Sequence, residues 1–384
     1  VDASANFINP ATLSDFTNIT LTAGFVTEHP RCKVHVNGGS KERLDPGLFW
    51  LPHFMLAVPL PKGWTFGFAG DAEYGLGTKY GDNWSMNWST VETTIKGYVL
   101  NPNLSYAVTD DWSVGAGLRW LYFDFEQFSN PAKTAELPGF GQQLLGTTHN
   151  HLRGDNDFRS VGWQLGSRYR ILDNLSVGIV YKAPIDVHVK GDCDTSVRQA
   201  NAMLPAEVQE LFRGGVAAVN GDADAKLTLP QSVTGGFNWD ITDAVHLGAA
   251  ISWTEWSKLD TLKFNLPGPE DRETKLAWHD TWRYSLGVAW DFAEDWTFMT
   301  SYIYDMDCTD KHQRSAMLPP ADRHILGGGL TWRVWGDLEC TLSYACIFMA
   351  GDTMSMTDET GKRWRLKSCD GFCHAGGFSV TYRF

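Results

Sequence analysis

Six short polar turns recur along this chain: Pro61-Lys62-Gly63-Trp64, Thr109-Asp110-Asp111-Trp112, Leu172-Asp173-Asn174-Leu175, Thr242-Asp243-Ala244-Val245, Ala293-Glu294-Asp295-Trp296 and Trp335-Gly336-Asp337-Leu338. Each sits between segments of alternating polarity, the signature of a hairpin. Seven longer loops lie between them, at about 29–46, 80–90, 128–157, 191–225, 260–279, 309–321 and 351–372. Six tight turns and seven long loops separate fourteen strands. Short turns at one end and long loops at the other describe an outer-membrane β-barrel.

The strands alternate as a barrel wall requires. In 175–185, Leu175, Val177, Ile179, Tyr181, Ala183 and Ile185 share one face. In 282–290, Trp282, Tyr284, Leu286, Val288 and Trp290 oppose Arg283, Ser285, Gly287 and Ala289. Aromatic residues gather at the ends of the apolar faces, as interfacial girdles do. No run of about 18 apolar residues exists, which excludes a helical membrane protein but not a barrel, whose alternation averages to ordinary hydropathy. A hydrophobic share of 43% argues against disorder. The net charge of −13 argues against a nucleic-acid partner.

A soluble sandwich or propeller also alternates. It accounts less well for the regular short–long loop pattern and for Trp on the outer face. Nor does it account for the last strand, where Phe378, Val380, Tyr382 and the terminal Phe384 share a face. That ending resembles the assembly signal of Gram-negative barrels, which implies the outer-membrane assembly machinery as a partner.

Several segments resemble the FadL/TodX family of outer-membrane transporters for long-chain fatty acids and other hydrophobic compounds. Asn9-Pro10-Ala11 is similar to the Asn-Pro-Ala of the family's hatch. Trp253, Trp256 and Ser257 match a Trp-Thr-x-Trp-Ser pattern, and Asp280 and Arg283 an Asp-x-aromatic-Arg strand start. Pro319, Asp322 and Arg323 match Pro-x-x-Asp-Arg, and 73–84 resembles the third strand, where the family barrel kinks inward. The matches keep their order across nearly the whole chain. Two departures stand out. His279 precedes Asp280 where the family often has Lys. Only eight residues precede Asn9, so residues 1–16 are expected to be a shortened hatch and 17–384 the barrel.

The resemblance implies a monomer that takes up long-chain fatty acids or similar hydrophobic molecules passively, with neither cofactor nor catalysis. An aromatic-hydrocarbon channel of the same family is the alternative. Outer-membrane lipid and lipopolysaccharide would surround it. On strand parity, eight basic positions line the lumen (Arg119, Arg168, Arg170, Lys182, Arg283, Arg323, Arg333 and Arg383) against five acidic ones (Asp71, Glu73, Asp186, Asp240 and Glu339). A basic lining suits an anionic head group, with Arg168, Arg170 and Arg283 as one patch. The competing reading is that these cations brace a polar interior.

Two loops carry helical apolar spacing. Leu204, Val208, Leu211 and Phe212 follow it after Pro205, with Gly214–Gly215 as a stop. Leu137, Phe140, Leu144 and Leu145 follow it raggedly. The family builds a capture groove from these loops, so these residues are candidates for it, against simple packing of one loop on the other. Gly75-Leu76-Gly77 is the candidate kink and side exit, since glycine weakens a strand and permits a bend. An outer-membrane hydrolase would need a nucleophile or paired carboxylates beside a His, yet His279 and Asp280 point to opposite faces of a strand. A structural or adhesin barrel would not need a basic lumen. No metal is expected; His149 and His151, with Asp155 and Asp157 nearby, read as a solvated loop. Cys340 and Cys346 read as small lipid-facing hydrophobes, and Cys369 with Cys373 as a possible loop disulfide.

Overall fold

The computed structural model describes residues 5–39, 41–44, 47–266, 272–310, 314–317 and 321–384, without the side chains of Ala5, 272–274 and 368–370. Fourteen antiparallel strands form the wall. They are β1 Thr20–Val36, β2 Phe49–Pro59, β3 Trp64–Lys79, β4 Glu92–Ala107, β5 Trp112–Ser129, β6 Ser160–Leu172 and β7 Leu175–Lys182. Then come β8 Ser232–Thr242, β9 Val245–Thr254, β10 Thr281–Ala293, β11 Trp296–Asp305, β12 Arg323–Trp335, β13 Leu338–Met349 and β14 Arg363–Arg383. Each pairs with the next. Then β14 pairs with β1, from Thr20 opposite Arg383 to Val36 opposite Leu366, and the sheet closes. Closure gives every strand a neighbour on both sides, as the absence of water in the bilayer favours; the one stretch of lost pairing lies between β2 and β3.

All six predicted tight turns join strands at one end, and all seven long loops lie at the other. The outward faces carry the large apolar side chains: Trp163, Leu165 and Tyr169 on β6, and Trp282, Tyr284 and Leu286 on β10, each about half exposed. This is the inverse of a soluble fold, because here lipid is the solvent for the apolar face. Cys340 and Cys346 lie on β13, spaced as their outward-facing neighbours Leu342 and Tyr344 are, and both thiols are free.

Additional strands extend the wall outward, among them 141–155, 185–200 and 221–229. A helix, α2 Ala206–Ala217, follows Pro205 as predicted. Two expectations are corrected here. The helix does not stop at Gly214–Gly215 but continues to Ala217, because burial of Val216 beyond them offsets the roughly 1 kcal/mol that each helical glycine costs. The segment through Leu137, Phe140, Leu144 and Leu145 is no helix. It is a hairpin of Ala132–Leu137 with Gly141–Asp155, turned by Gly139 and Gly141 at φ of 81° and 66°. Two closely spaced left-handed glycines override a weak helical period. Cys369 and Cys373 also lie on one strand, β14, rather than in a loop. Four residues along a strand span roughly 13 Å, too far for a disulfide. Cys373 is a free thiol, and the Cys369 side chain lies outside the described residues.

Candidate functional site

Residues 5–15 occupy the lower lumen. A short helix, α1 Ala5–Ile8, leads into a 3₁₀ turn, Pro10–Asp15. Asn9 caps that turn, its Oδ1 accepting the Ala11 amide at 3.0 Å. Its Nδ2 donates to the carbonyls of Ser167 on β6 and Ile179 on β7. The carbonyl of Ala11 accepts from Ser105 and Ser113. Buried Asn6 is held by Asn103 and Gln164, and Asp15 receives Arg168 at 2.6 Å. The seat is made of glycine. A Cβ at Gly67 would overlap Asn6, one at Gly115 would strike Pro10, and one at Gly166 would overlap Asn9. Gly166 has the same parity as the lumen-facing Arg168 and Arg170, and its missing side chain is the socket. Gly166→Val is therefore expected to dislodge this segment, seen as a rise in single-channel ion conductance in planar bilayers.

Above that seat the wall opens. β2 and β3 pair only from Phe54 opposite Gly70 down to Pro59 opposite Thr65. Beyond Gly70, β3 runs on to Lys79 paired with β4 alone, while Phe49–His53 pair with β1 alone. Pro52, with no amide hydrogen to offer, lies in this one-sided stretch, where proline is tolerated. A proline inside a strand is the signal that could have located the gap.

The kink itself begins earlier than Gly75–Gly77. The register of β3 against β4 shifts between Ala72 and Tyr74, which makes Glu73 the extra residue of a β-bulge. The bulge reverses the alternation. Asp71 faces inward before it; Tyr74 and Leu76 face inward after it, leaving Gly75 and Gly77 outward. A Cβ on Gly77 would overlap the ring of Phe49, from the lumen side of β2, whereas one on Gly75 would meet nothing. The upper part of β3 therefore passes inside β2, and the three predicted residues lie on this stretch of β3, which pairs with β4 alone.

The bulge is pinned electrostatically. Glu73 receives Arg119 of β5 and Lys182 of β7, each at 2.7 Å. Arg119, 1% exposed, also donates to the Tyr74 hydroxyl and the Ala183 carbonyl. The ring of Phe7, from α1, lies 5.5 Å beneath the Lys182 ammonium, a cation–π contact. Around this cluster the lumen is apolar: Val99, Leu121, Phe123, Ile185 and Val189 are buried together, with Phe7 and Tyr74 against them.

The other lumen cations are largely committed. Arg170 pairs with Asp111, Arg323 with Asp305, and Arg333 and Arg383 with Glu339. Arg283 is exposed and forms no ion pair among the described residues. The single patch expected of Arg168, Arg170 and Arg283 does not form. Arg168 and Arg170 lie near the short-turn end of β6, and Arg283 near the long-loop end of β10. Parity fixes the face of a residue but not its height.

The remaining motif residues brace loops. Asp280 accepts the Ser257 amide, and Asp322 accepts the Tyr304 hydroxyl and the Asp307 amide. His151 pairs with Glu126 and stacks on Phe128. Burial pushes the Cys308 thiol up to about 12, so it stays protonated near neutrality. Among the candidate groove residues, Phe212 is buried where its ring would meet a Cβ at Gly146. Leu204, Val208 and Leu145 are half-buried, and Leu144 is exposed. Leu211 and Phe140 are each 76% exposed.

This barrel has known relatives. Residues 1–384 match the model of the family described as outer membrane protein transport protein (OMPP1/FadL/TodX). The chain belongs to this family. It is 23% identical over 386 residues to the long-chain fatty acid transport protein of Salmonella typhi, covering 93% of this chain and 85% of that protein. It is 24% identical over 400 residues to outer membrane protein P1 of Haemophilus influenzae, covering 96% and 82%. Its fold superposes on a Pseudomonas aeruginosa FadL homologue with a TM-score of 0.88 at 21% identity, covering 100% of this chain and 94% of that one. The P. putida toluene transporter TodX gives 0.73 at 19% identity, again over 100% and 94%. The protein is thus an outer-membrane transporter of the FadL/TodX family.

Proposed function

We propose that this barrel takes up long-chain fatty acids or similar hydrophobic molecules by passive diffusion, and that they leave sideways through the opening between β2 and β3. The observation that carries this reading is the loss of pairing above Gly70 beside an apolar lumen, over a filled lower lumen. A greasy molecule leaving there enters the bilayer without crossing water. Relatives described as fatty acid transport proteins support this ligand class. Neither catalysis nor cofactor is invoked. Exposed Leu211 and Phe140 are the proposed first contacts outside the membrane, with Leu144 as an accessory.

Leu211→Asp should weaken capture of a labelled fatty acid by intact cells while assembly is unchanged. Phe212→Asp should instead unseat α2 from the strand beneath it, because Phe212 is buried. Equal binding by wild type and Leu211→Asp would remove the loop from the mechanism.

A second reading, an aromatic-hydrocarbon channel, is favoured by one observation. Arg119 and Lys182 are both bonded to Glu73. Of the eight lumen cations only Arg283 forms no ion pair among the described residues, so it is the one free to attract a carboxylate. If the ligand is an anion, Arg283→Ala should lower oleate uptake and spare an uncharged hydrocarbon. Equal losses for both would mean that Arg283 only braces the wall.

A further inference from the structure

The outer surface of the barrel carries a second feature that transport does not use. On β1 the even positions Cys32, Val34 and Val36 are buried under the loops, so the odd positions Arg31, Lys33 and His35 face outward. The short strand Lys41–Leu44 lies alongside, with Arg43 directly opposite Lys33 and Lys41 opposite His35. On the other side, β14 places Lys367 opposite His35. With Leu366 buried, Arg363 and Arg365 share the outward face of Lys367. Directly paired residues share a face, so seven Lys and Arg side chains gather on one outer surface of a chain whose net charge is −13. The remaining strand, Thr353–Thr357, presents only Thr353, Ser355 and Thr357 there. Among the described residues of these strands, none on this face is acidic. Lys33, Arg43, Arg363, Arg365 and Lys367 form no ion pair among the described residues.

The height of this surface says what it meets. Leu21, near the short-turn end, is exposed on the same face of β1. A tilted strand rises roughly 2.4 Å per residue, so Arg31 stands about 25 Å above Leu21, the height of a barrel's apolar band. His29 and His374, a directly opposed pair, lie at the margin, and the Tyr344 hydroxyl bonds His374. Lys33, Arg43, Arg365 and Lys367 then sit just above the hydrocarbon, facing away from the barrel. Seven like charges so close repel one another, which favours a polyanion that neutralises them. In the outer leaflet that polyanion is the phosphorylated head of lipopolysaccharide, anchored at this depth by its own acyl chains.

We propose that this face of β1, β14 and the strand Lys41–Leu44 is a docking site for the phosphates of lipid A, holding a lipopolysaccharide molecule against the barrel wall. Charge-assisted bonds to phosphate are the strong kind, and arginine makes them in pairs.

The test uses the purified full chain in detergent with added diphosphoryl lipid A, the bound lipid being counted by native mass spectrometry and titrated by fluorescence. The wild type should retain lipid A, and removal of both phosphates from the lipid should weaken binding at least about tenfold. The variant Lys33→Gln/Arg43→Gln/Arg365→Gln/Lys367→Gln should lose the same increment. A control with four cations removed elsewhere, Arg153→Gln/Arg159→Gln/Lys226→Gln/Lys258→Gln, should bind as the wild type does. Equal retention of dephosphorylated lipid A by the wild type would overturn the proposal, and so would equal losses in the two variants. The dephosphorylated lipid keeps the test valid even if the quadruple variant assembles poorly.

Discussion

Glu73→Gln is expected to be the most damaging single substitution in this protein. Removing the charge leaves Arg119 and Lys182 inside the barrel with no carboxylate between them. Arg119 has nowhere to turn, since its side chain is 2% exposed and its Nε already lacks a partner. Breaking a buried pair by deleting one member costs about 3 to 5 kcal/mol, because the remaining charge is stranded in a poor solvent. The loss should appear as reduced stability to urea in lipid vesicles. Uptake should fall with it, since the same contact fixes the bulge at the foot of the opening. Adding Lys182→Met should recover part of the stability by removing one of the two stranded charges. A stability within about 1 kcal/mol of wild type would place Glu73 among the dispensable surface ion pairs.

Closing the side opening should abolish transport without abolishing assembly. In the pair Gly75→Val/Gly77→Val, the first valine fills the open space outside β3, and the second presses on the Phe49 ring. Both raise the strand preference of a segment that glycine now weakens. Ligand should still bind at the loops, while uptake falls to the level of cells lacking the protein. Cells at matched membrane levels of the variant would be compared with wild type for uptake of labelled oleate. Wild-type rates in the variant would show that the ligand leaves by another path. Together with Glu73→Gln this separates two failures: one variant should be unstable, the other stable and blocked.

The distinction bears on which ligand the barrel serves. Glu73 occupies the two cations that an entering carboxylate would otherwise reach, and it does so beside a lumen surface that is otherwise apolar. A neutral ligand has nothing to displace there. A fatty acid would instead need Arg283, near the long-loop end of β10, and the comparison of oleate with a hydrocarbon in Arg283→Ala measures that need.

The barrel was legible in the sequence because its determinants are local. A side-chain period of two and polar turns such as Asp173-Asn174 depend on neighbours in the chain, so strand number, direction and most lipid-facing residues followed from them. The helix after Pro205 was legible for the same reason. Ile185, read onto the outer face, packs into the lumen, and Asp186, read into the lumen, faces away from it, because β7 ends at Lys182 and the alternation is not continuous across Ala183–Pro184. The hairpin at Leu137–Leu145 was misread because two left-handed glycines outweigh a ragged apolar period. What remained hidden depends on residues far apart in sequence. The bulge at Glu73 is held by Arg119 and Lys182, 46 and 109 positions away. The seat of the N-terminal segment is made by glycines on separate strands, and the basic outer face joins the two ends of the chain. Alternation tells which way a side chain points. Only closure of the sheet decides what stands opposite it, and at what depth in the membrane, and those two facts determine whether a charge binds a ligand, braces the wall or meets a lipid.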